Sequence, residues 1–419
     1  MRLLKFLLRY FPPGIALEYT QGGNVKTKMI DLLDLNSKTD IKILAKKIMN
    51  DEPIITESVM DQLEETLLKL QAKVSDTSVK RYYKYKTLQT HLLPLTNIDF
   101  DKLGKRCLTG SYDRTCKVWS IESGTELLTL EGHKNVVYAV SFNNPTADRI
   151  LTGSFDKTAK LWDARINSDE CLVSFWGHDA EVVVVKFSPT QSCRIATGSM
   201  DTTAKIFNII SGQVIGTLKG HSGEIISLQY NNDGNQIITG SFDGTVCIWD
   251  TRTFECISVL TGHQGKISNC LFSFDCSIIA SSSLDKTVKV WDARMNSCIG
   301  TLLGHYDEVL DIALNYQGLK LASASSDSTA RMWDISGDFK ELFVLDDHRE
   351  EVSTICFSPN GHQLLTSSLD CTARLWSVET GNCLQTLTGH TDDVFSCAFS
   401  YNGDTVITAS KDNTCTIWR

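Results

Sequence analysis

Residues 132–163 read GHKNVVYAVSFNNPTADRILTGSFDKTAKLWD, and similar stretches recur along most of the chain. Apolar residues alternate with polar ones over 137–142 and again over 150–152, and a turn at Asp156 leads into a third run that ends at Trp162. This pattern is typical of short antiparallel strands. One small sheet cannot bury both of its faces, so we expect the sheets to stack radially and close a ring.

Three marks define the repeat: an aromatic residue at intervals of mostly 42 or 43 residues, a turn aspartate before it, and a histidine 22 or 23 residues before that aspartate. The aromatic residues are Trp119, Trp162, Phe207, Trp249, Trp291, Trp333, Trp376 and Trp418. The aspartates are Asp113, Asp156, Asp201, Asp243, Asp285, Asp327, Asp370 and Asp412. The histidines are His91, His133, His178, His221, His263, His305, His348 and His390, so that only His362 lies outside the pattern.

With these marks, residues 84–419 resemble the WD40 repeat family. The resemblance implies an all-β fold, an eight-bladed WD40 β-propeller. It also implies a hydrogen-bond relay in each blade, from Trp N–H to a hydroxyl, from the hydroxyl to His, and from His to Asp. In three blades the relay residues are His133, Thr152, Asp156, Trp162, His221, Thr239, Asp243, Trp249, His263, Ser281, Asp285 and Trp291.

Two repeats depart from the pattern, and we expect a weaker relay in each. Phe207 stands where the other repeats have Trp, which removes an N–H donor from that blade. Asp347 precedes His348 where most repeats have Gly. His91 also lacks a preceding Gly, but its distance from Asp113 places it in the pattern.

The last repeat ends at Trp418 with three strands, so its sheet lacks an outer strand. Residues 85–90 (YKTLQT) resemble 383–386 (CLQT), which form an outer strand in another repeat. We therefore expect residues 84–90 to supply the missing strand and to remove an open sheet edge.

Residues 1–80 contain no repeat and predict a small α+β domain. Residues 15–19 and 25–29 alternate around a Gly-rich turn and predict a β-hairpin. Two amphipathic helices follow, and residues 76–78 are expected to be a linker. The helix positions are Ile41, Leu44, Ala45 and Ile48, then Met60, Leu63, Leu67 and Leu70. This domain either covers the propeller rim or acts as a clamp that forms a cleft with it.

Charge is uneven along the chain. Residues 1–83 carry 13 basic and 11 acidic residues, a net charge of +2, whereas residues 84–419 carry 28 and 39, a net charge of −11. An acidic propeller argues against nucleic acid as a partner. No apolar run is long enough for a membrane span, and the first ten residues lack the features of a signal peptide. We therefore expect a soluble, intracellular protein without a membrane partner.

Chemical motifs are lacking. The sequence has no phosphate-binding Gly-rich loop, nucleophile elbow or metal-spaced His/Cys set, and its 14 cysteines include no C-x-x-C pair. The cysteines are interpreted as small buried apolar residues in a reducing compartment. Because one structural arrangement accounts for eight of nine histidines, we predict no catalytic residues, no metal and no cofactor.

A candidate recognition surface lies beside the turn aspartates. In five consecutive repeats the preceding residue is large and apolar: Tyr112, Phe155, Met200, Phe242 and Leu284. The His–Asp bonds of the relay would place these residues on one face, where apolar clusters often mark partner sites. The alternative is that they pack between neighbouring blades. Arg9 and Tyr10 of the N-terminal segment are further candidates for partner binding.

A closer resemblance covers the whole chain. The segments 8–14 (LRYFPPG), 30–35 (IDLLDL), 93–97 (LPLTN), 109–117 (TGSYDRTCK) and 411–419 (KDNTCTIWR) resemble the family of dynein assembly factors with WD repeats.

The family resemblance implies a monomeric cargo adaptor that links preassembled outer-arm dynein to an intraflagellar transport complex B subunit, for axonemal dynein assembly and ciliary motility. It further implies that the transport particle binds at the cleft between the N-terminal domain and the propeller. The implied location is the cytoplasm and the cilium or flagellum, at the basal body and the axoneme. The alternative hypothesis is a WD40 substrate receptor of a ubiquitin ligase.

Overall fold

The computed structural model describes residues 2–22, 24–75, 80–89, 91–165, 169–190 and 193–419. The chain forms two compact units, Met1–Lys80 and Arg81–Arg419. The residues expected to be a linker, 76–78, lie outside the described residues, as does Thr90 of the expected closure strand.

The smaller unit is a three-stranded antiparallel sheet of order β1-β2-β3 followed by two helices. Its elements are β1 (Arg2–Arg9), β2 (Gly14–Gln21), β3 (Asn24–Asp31), α1 (Ile41–Asp51), a 3-10 turn (Glu57–Val59) and α2 (Met60–Val74). The expected hairpin is β2–β3 and the expected helices are α1 and α2, so this part of the prediction is confirmed.

Strand β1 is an addition that the sequence pattern did not indicate. Its register against β2 shifts between Leu3 and Lys5, and such a bulge interrupts the alternation of inward and outward residues. Beyond the bulge, Phe6 and Leu8 pack against the core of the unit. Charged Lys5 therefore does not break a buried strand, because it lies on the other face and pairs with Glu18 at 2.9 Å.

The core of the smaller unit lies between the sheet and the two helices. Ile15 and Leu17 of β2 are fully buried, as are Leu63 and Leu67 of α2. Asp40 begins α1 by accepting hydrogen bonds from the backbone N–H groups of the second and third helical residues.

The larger unit contains eight four-stranded antiparallel sheets, which confirms the expected eight-bladed propeller. Its first strand along the chain is β4 (Lys84–Gln89). From the inner strand outward, blades 1 to 4 are β5 (Leu95–Phe100), β6 (Arg106–Ser111), β7 (Cys116–Ser120), β8 (Glu126–Leu130); β9 (Val137–Phe142), β10 (Arg149–Ser154), β11 (Ala159–Asp163), β12 (Cys171–Phe175); β13 (Val182–Phe187), β14 (Arg194–Ser199), β15 (Thr203–Asn208), β16 (Val214–Lys219); and β17 (Ile225–Tyr230), β18 (Gln236–Ser241), β19 (Val246–Asp250), β20 (Cys256–Leu260).

In the same order, blades 5 to 8 are β21 (Ile267–Phe272), β22 (Ile278–Ser283), β23 (Val288–Asp292), β24 (Ser297–Leu302); β25 (Val309–Leu314), β26 (Lys320–Ser325), β27 (Ala330–Asp334), β28 (Lys340–Leu345); β29 (Val352–Phe357), β30 (Gln363–Ser368), β31 (Thr372–Ser377), β32 (Cys383–Thr388); and β33 (Val394–Phe399), β34 (Val406–Ser410), β35 (Thr414–Trp418) with β4 outermost. The inner strands of neighbouring blades contact one another, and β33 also contacts β5, so the ring is closed.

Closure is made by β4, which pairs antiparallel with β35 in a register that sets Leu88 opposite Cys415. Leu88 is 3% exposed and packs with Leu95 of blade 1, so this strand joins the first blade to the last. The segment before it is also held, because the Tyr82 hydroxyl donates to the Gly403 carbonyl at 2.8 Å.

We expect Leu88→Ala to lower the free energy of unfolding by about 2–5 kcal/mol, because it leaves a cavity where the ring closes. Leu92→Ala, four residues further on, is the matched control: Leu92 is 83% exposed, and its loss should change stability by less than about 0.5 kcal/mol. Denaturant unfolding of the two variants measures the difference. Equal effects of the two substitutions would show that Leu88 contributes no more to stability than an exposed leucine does.

Candidate functional site

The relay residues of blade 2 form a continuous chain of hydrogen bonds. Trp162 Nε1–H donates to Thr152 Oγ1 at 2.9 Å, and that hydroxyl lies 2.7 Å from His133 Nε2. His133 Nδ1 lies 2.8 Å from Asp156 Oδ2. Because the Asp156 carboxylate can only accept, His133 carries its proton on Nδ1 and donates it to Asp156, and the unprotonated Nε2 then accepts from the Thr152 hydroxyl.

The same geometry recurs around the ring. All eight His Nδ1 atoms lie 2.7–3.0 Å from an Asp Oδ2. All eight Nε2 atoms lie 2.7–2.9 Å from a Thr or Ser hydroxyl. The relay residues expected in blades 4 and 5 are brought together in this way, from His221 to Trp249 and from His263 to Trp291.

The two departures behave differently. In blade 3 the Thr197 hydroxyl has no indole donor, because Phe207 occupies that place, but the bonds of His178 to Thr197 and Asp201 remain at 2.7 Å. In blade 7 the relay is complete, and His348 lies 2.8 Å from both of its partners. The weaker relay that we expected from Asp347 is therefore not found.

The relay carboxylates stay charged although they are partly buried. Burial alone would raise the pKa of Asp156, but hydrogen bonds from His133 and Thr158 outweigh it and hold that pKa well below its ordinary value. Burial lowers the pKa of His263 against the opposing effect of Asp285, which keeps that imidazole neutral at pH 7. A neutral imidazole with both nitrogens occupied is a structural group and not an available base.

Two further positions complete each turn and were missed by the sequence analysis. In blade 2, Asp156 Oδ1 accepts from the Thr158 backbone N–H and hydroxyl, and the Ser154 hydroxyl accepts from the Asp156 N–H at 3.0 Å. Asp156 Oδ2 also accepts from the N–H of Lys134, next to the relay histidine. The signal was present, because every turn aspartate in the chain has Ser two residues before it and Thr two residues after it.

The turn residues proposed for recognition lie on the face that carries the relay loops. Tyr112 is 42% exposed, while Phe155, Met200, Phe242 and Leu284 are half-buried. Phe155 stacks on Tyr138 with ring centroids 5.3 Å apart, and the Lys266 ammonium lies 4.4 Å above the Phe242 ring. These side chains therefore combine packing within the propeller with partial exposure on one face.

Arg9 and Tyr10 are engaged within the smaller unit. Arg9 donates from Nε to the Pro12 carbonyl at 2.7 Å and forms an ion pair with Asp31. Tyr10 packs against the hydrophobic core of that unit. Their contacts shape the turn between β1 and β2.

Polar side chains of the inner strands join neighbouring blades around the central channel. Asp99 of blade 1 accepts from the Phe142 N–H of blade 2 at 2.8 Å. Asp311 of blade 6 accepts from Asn269 of blade 5 at 2.7 Å and from the Ile355 N–H of blade 7 at 3.1 Å. Burial raises the pKa of Asp99 and of Asp311 to about 6. These residues do not repeat from blade to blade, so no periodic signal marked them.

Among the described residues, no group of three His, Cys, Asp or Glu side chains is placed to hold a metal ion. None of the helices in the described part of the chain has the length and apolar character required to cross a bilayer.

Comparison with known proteins adds two findings. The family model described as "WD domain, G-beta repeat" matches residues 83–120, 124–163, 169–208, 212–250, 254–292, 296–334, 339–377 and 381–419. The chain is also similar to proteins called "Dynein assembly factor with WD repeat domains 1". Identity is 55% over 148 residues, or 35% of this chain, for Xenopus laevis, and 52% over 149 residues, or 36%, for Danio rerio and for Homo sapiens. Each match spans 36% of the relative's own length.

We expect Trp162→Phe to lower the free energy of unfolding by about 1–3 kcal/mol, since Thr152 loses its donor and the core loses volume. The reverse change, Phe207→Trp, should raise it by about 1 kcal/mol by giving Thr197 a donor. Both are measured by denaturant unfolding. If both changes lower stability, the packing at positions 162 and 207 is specific for the native side chains, and the indole hydrogen bond contributes little to the free energy of unfolding.

Stability should fall steeply between pH 4 and pH 2. The folded pKa of each relay aspartate is below its unfolded value of about 4, so the unfolded chain binds more protons as the pH falls and the stability present above pH 4 is lost. Denaturant unfolding at a series of pH values between 4 and 2 measures this loss of stability. Asp156→Asn should show a shallower pH dependence, and an unchanged slope would contradict the assignment.

Proposed function

We propose that this chain, which belongs to the WD domain, G-beta repeat family, is a non-catalytic adaptor in the assembly of axonemal dynein. In this proposal it links preassembled outer-arm dynein to a subunit of intraflagellar transport complex B and acts in the cytoplasm and the cilium or flagellum. The observation that carries the proposal is the identity of 52–55% to relatives that are called dynein assembly factors.

The chemistry of the propeller supports binding over catalysis. Eight of the nine imidazoles have both ring nitrogens occupied by relay partners, and the relay carboxylates are held by His and Thr. Groups committed in this way offer no free base or nucleophile. What the propeller presents to other molecules is therefore its surface.

The surface offers an anchor for a partner. Tyr112, Phe155 and Phe242 are partly exposed on one face, and aromatic side chains dominate the binding energy at many protein interfaces. The smaller unit is a second candidate surface. It has its own core and exposes Val25 and Met29 on the edge strand β3. Two separate surfaces suit a protein that connects two partners.

Affinity purification of the tagged full chain from ciliated cells, followed by mass spectrometry, tests the proposal. We expect outer-arm dynein chains and subunits of transport complex B to be enriched. A chain that begins at residue 81 keeps β4 and Tyr82, so it should fold as a propeller and lose the transport subunits.

Two results would count against this function, and a third would require a different variant. Enrichment of a ubiquitin-ligase scaffold without dynein would favour the substrate-receptor alternative. Retained transport binding by the shortened chain would remove the role of the smaller unit. Loss of all partners together with loss of the thermal unfolding transition would show only a folding defect, and Leu67→Ala in the full chain would then replace the deletion.

A further inference from the structure

A cavity of 410 Å³ lies between the inner strands of blades 1, 2, 7 and 8. It is lined by Tyr112, Tyr138 and Phe395 together with small polar residues that include Ser353. Tyr138 and Phe395 are the second residues of β9 and β33, and Tyr112 belongs to a relay turn. The cavity therefore lies at the end of the channel that carries the relay loops.

Aromatic side chains of this cavity are accessible. Tyr112 is 42% exposed and Tyr138 is 39% exposed. Tyr138 is fixed by its stacking on Phe155, with an angle of 22° between the rings. A ring held in one orientation presents its face to a ligand at a small entropic cost.

The loops beside this cavity are acidic on one side. Between the relay histidine and the inner strand, blades 6 to 8 carry six carboxylates: Asp307, Glu308, Glu350, Glu351, Asp392 and Asp393. Three basic side chains adjoin these loops, Lys286, Arg349 and Lys411, so the net charge of these nine groups is −3. Lys411 pairs with Asp393 at 2.9 Å, whereas Glu350 and Glu351 are exposed to solvent.

Blades 1 and 2 show the opposite character. Their relay loops and turns carry Arg114, Lys134 and Lys157 against one acidic side chain outside the relay, Glu131. The side of the face formed by blades 6 to 8 is thus acidic, whereas the side formed by blades 1 and 2 is aromatic and weakly basic, and the cavity lies between these two sides.

We propose that this face docks an extended, positively charged segment of a partner protein, and that one arginine or lysine of the segment places its side chain in the aromatic cavity. The inference rests on the proposed adaptor function and supplies the chemistry of one partner. A cation over an aromatic face is attracted by the ring quadrupole, and neighbouring basic residues of the segment complement the carboxylates of blades 6 to 8.

The protein uses the same chemistry on this face already. The Lys266 ammonium lies 4.4 Å from the Phe242 ring centroid, and the Arg331 guanidinium lies 5.7 Å from that of Tyr306. An acidic segment would meet like charge at Glu350 and Glu351, and a purely apolar one would leave the carboxylates of blades 6 to 8 without partners of opposite charge. Nucleic acid is disfavoured for the same electrostatic reason.

Fluorescence anisotropy with the full chain tests the docking surface. The probe is a labelled twelve-residue peptide of alternating arginine and glycine, compared with one of alternating glutamate and glycine. We expect the arginine peptide alone to bind, and Glu350→Gln with Glu351→Gln to weaken binding about fivefold at low salt. The matched control, Glu122→Gln with Glu255→Gln, changes the net charge equally on the opposite face, and should shift affinity by less than about twofold.

A second variant pair tests the aromatic cavity. Tyr112→Ala should weaken binding of the arginine peptide about threefold, and Tyr112→Phe, which keeps the ring, should restore it. Equal losses from the two charge pairs, binding of the glutamate peptide, or insensitivity to Tyr112→Ala would overturn the inference. If these results overturn the docking surface but the chain still captures dynein from ciliated cells, the adaptor function remains supported. If the peptide binds at this site but the chain captures no dynein, the adaptor function is rejected and the docking surface is retained.

Discussion

The hydrogen bond between a relay imidazole and its turn aspartate is the interaction on which the propeller depends. It joins a loop between two blades to a turn within one blade, and 22 or 23 residues separate the partners in sequence. A charge-assisted bond of this kind contributes about 1.5–3 kcal/mol, and leaving either partner buried and unsatisfied would cost a similar amount. Eight such bonds place all relay loops and turns at one face, where the aromatic residues lie.

Most of the relay could be predicted from the spacing of residues in the sequence, because the relay needs fixed residue types at fixed intervals. The error in blade 7 came from treating the glycine before the histidine as necessary. Gly132 has a φ of 144°, but Asp347, like Gly220 and Gly304, does not adopt a positive φ, so that position tolerates a side chain. Strand β1 was missed because a bulge hides its alternation.

The candidate recognition surface was only partly predictable for a different reason. The turn residues from Tyr112 to Leu284 were found by their place beside the aspartates, which repeats. Tyr138, Phe395 and the channel carboxylates Asp99 and Asp311 occupy inner-strand positions whose identity changes from blade to blade. The relay positions repeat in every blade, whereas the residues that line the channel differ between blades and give this propeller a binding face of its own. These residues are far apart in the sequence, so their proximity is visible only in the structure.

The pairing of β4 with β35 also has a kinetic consequence. The Tyr82 hydroxyl and the Gly403 carbonyl that meet beside this junction are 321 residues apart in the chain. Seven blades can assemble from neighbouring strands, but the eighth needs the two most distant parts of the propeller to find each other. Until they do, the edge of β35 stays open and able to pair with another chain, so the last step of folding is the one most exposed to aggregation.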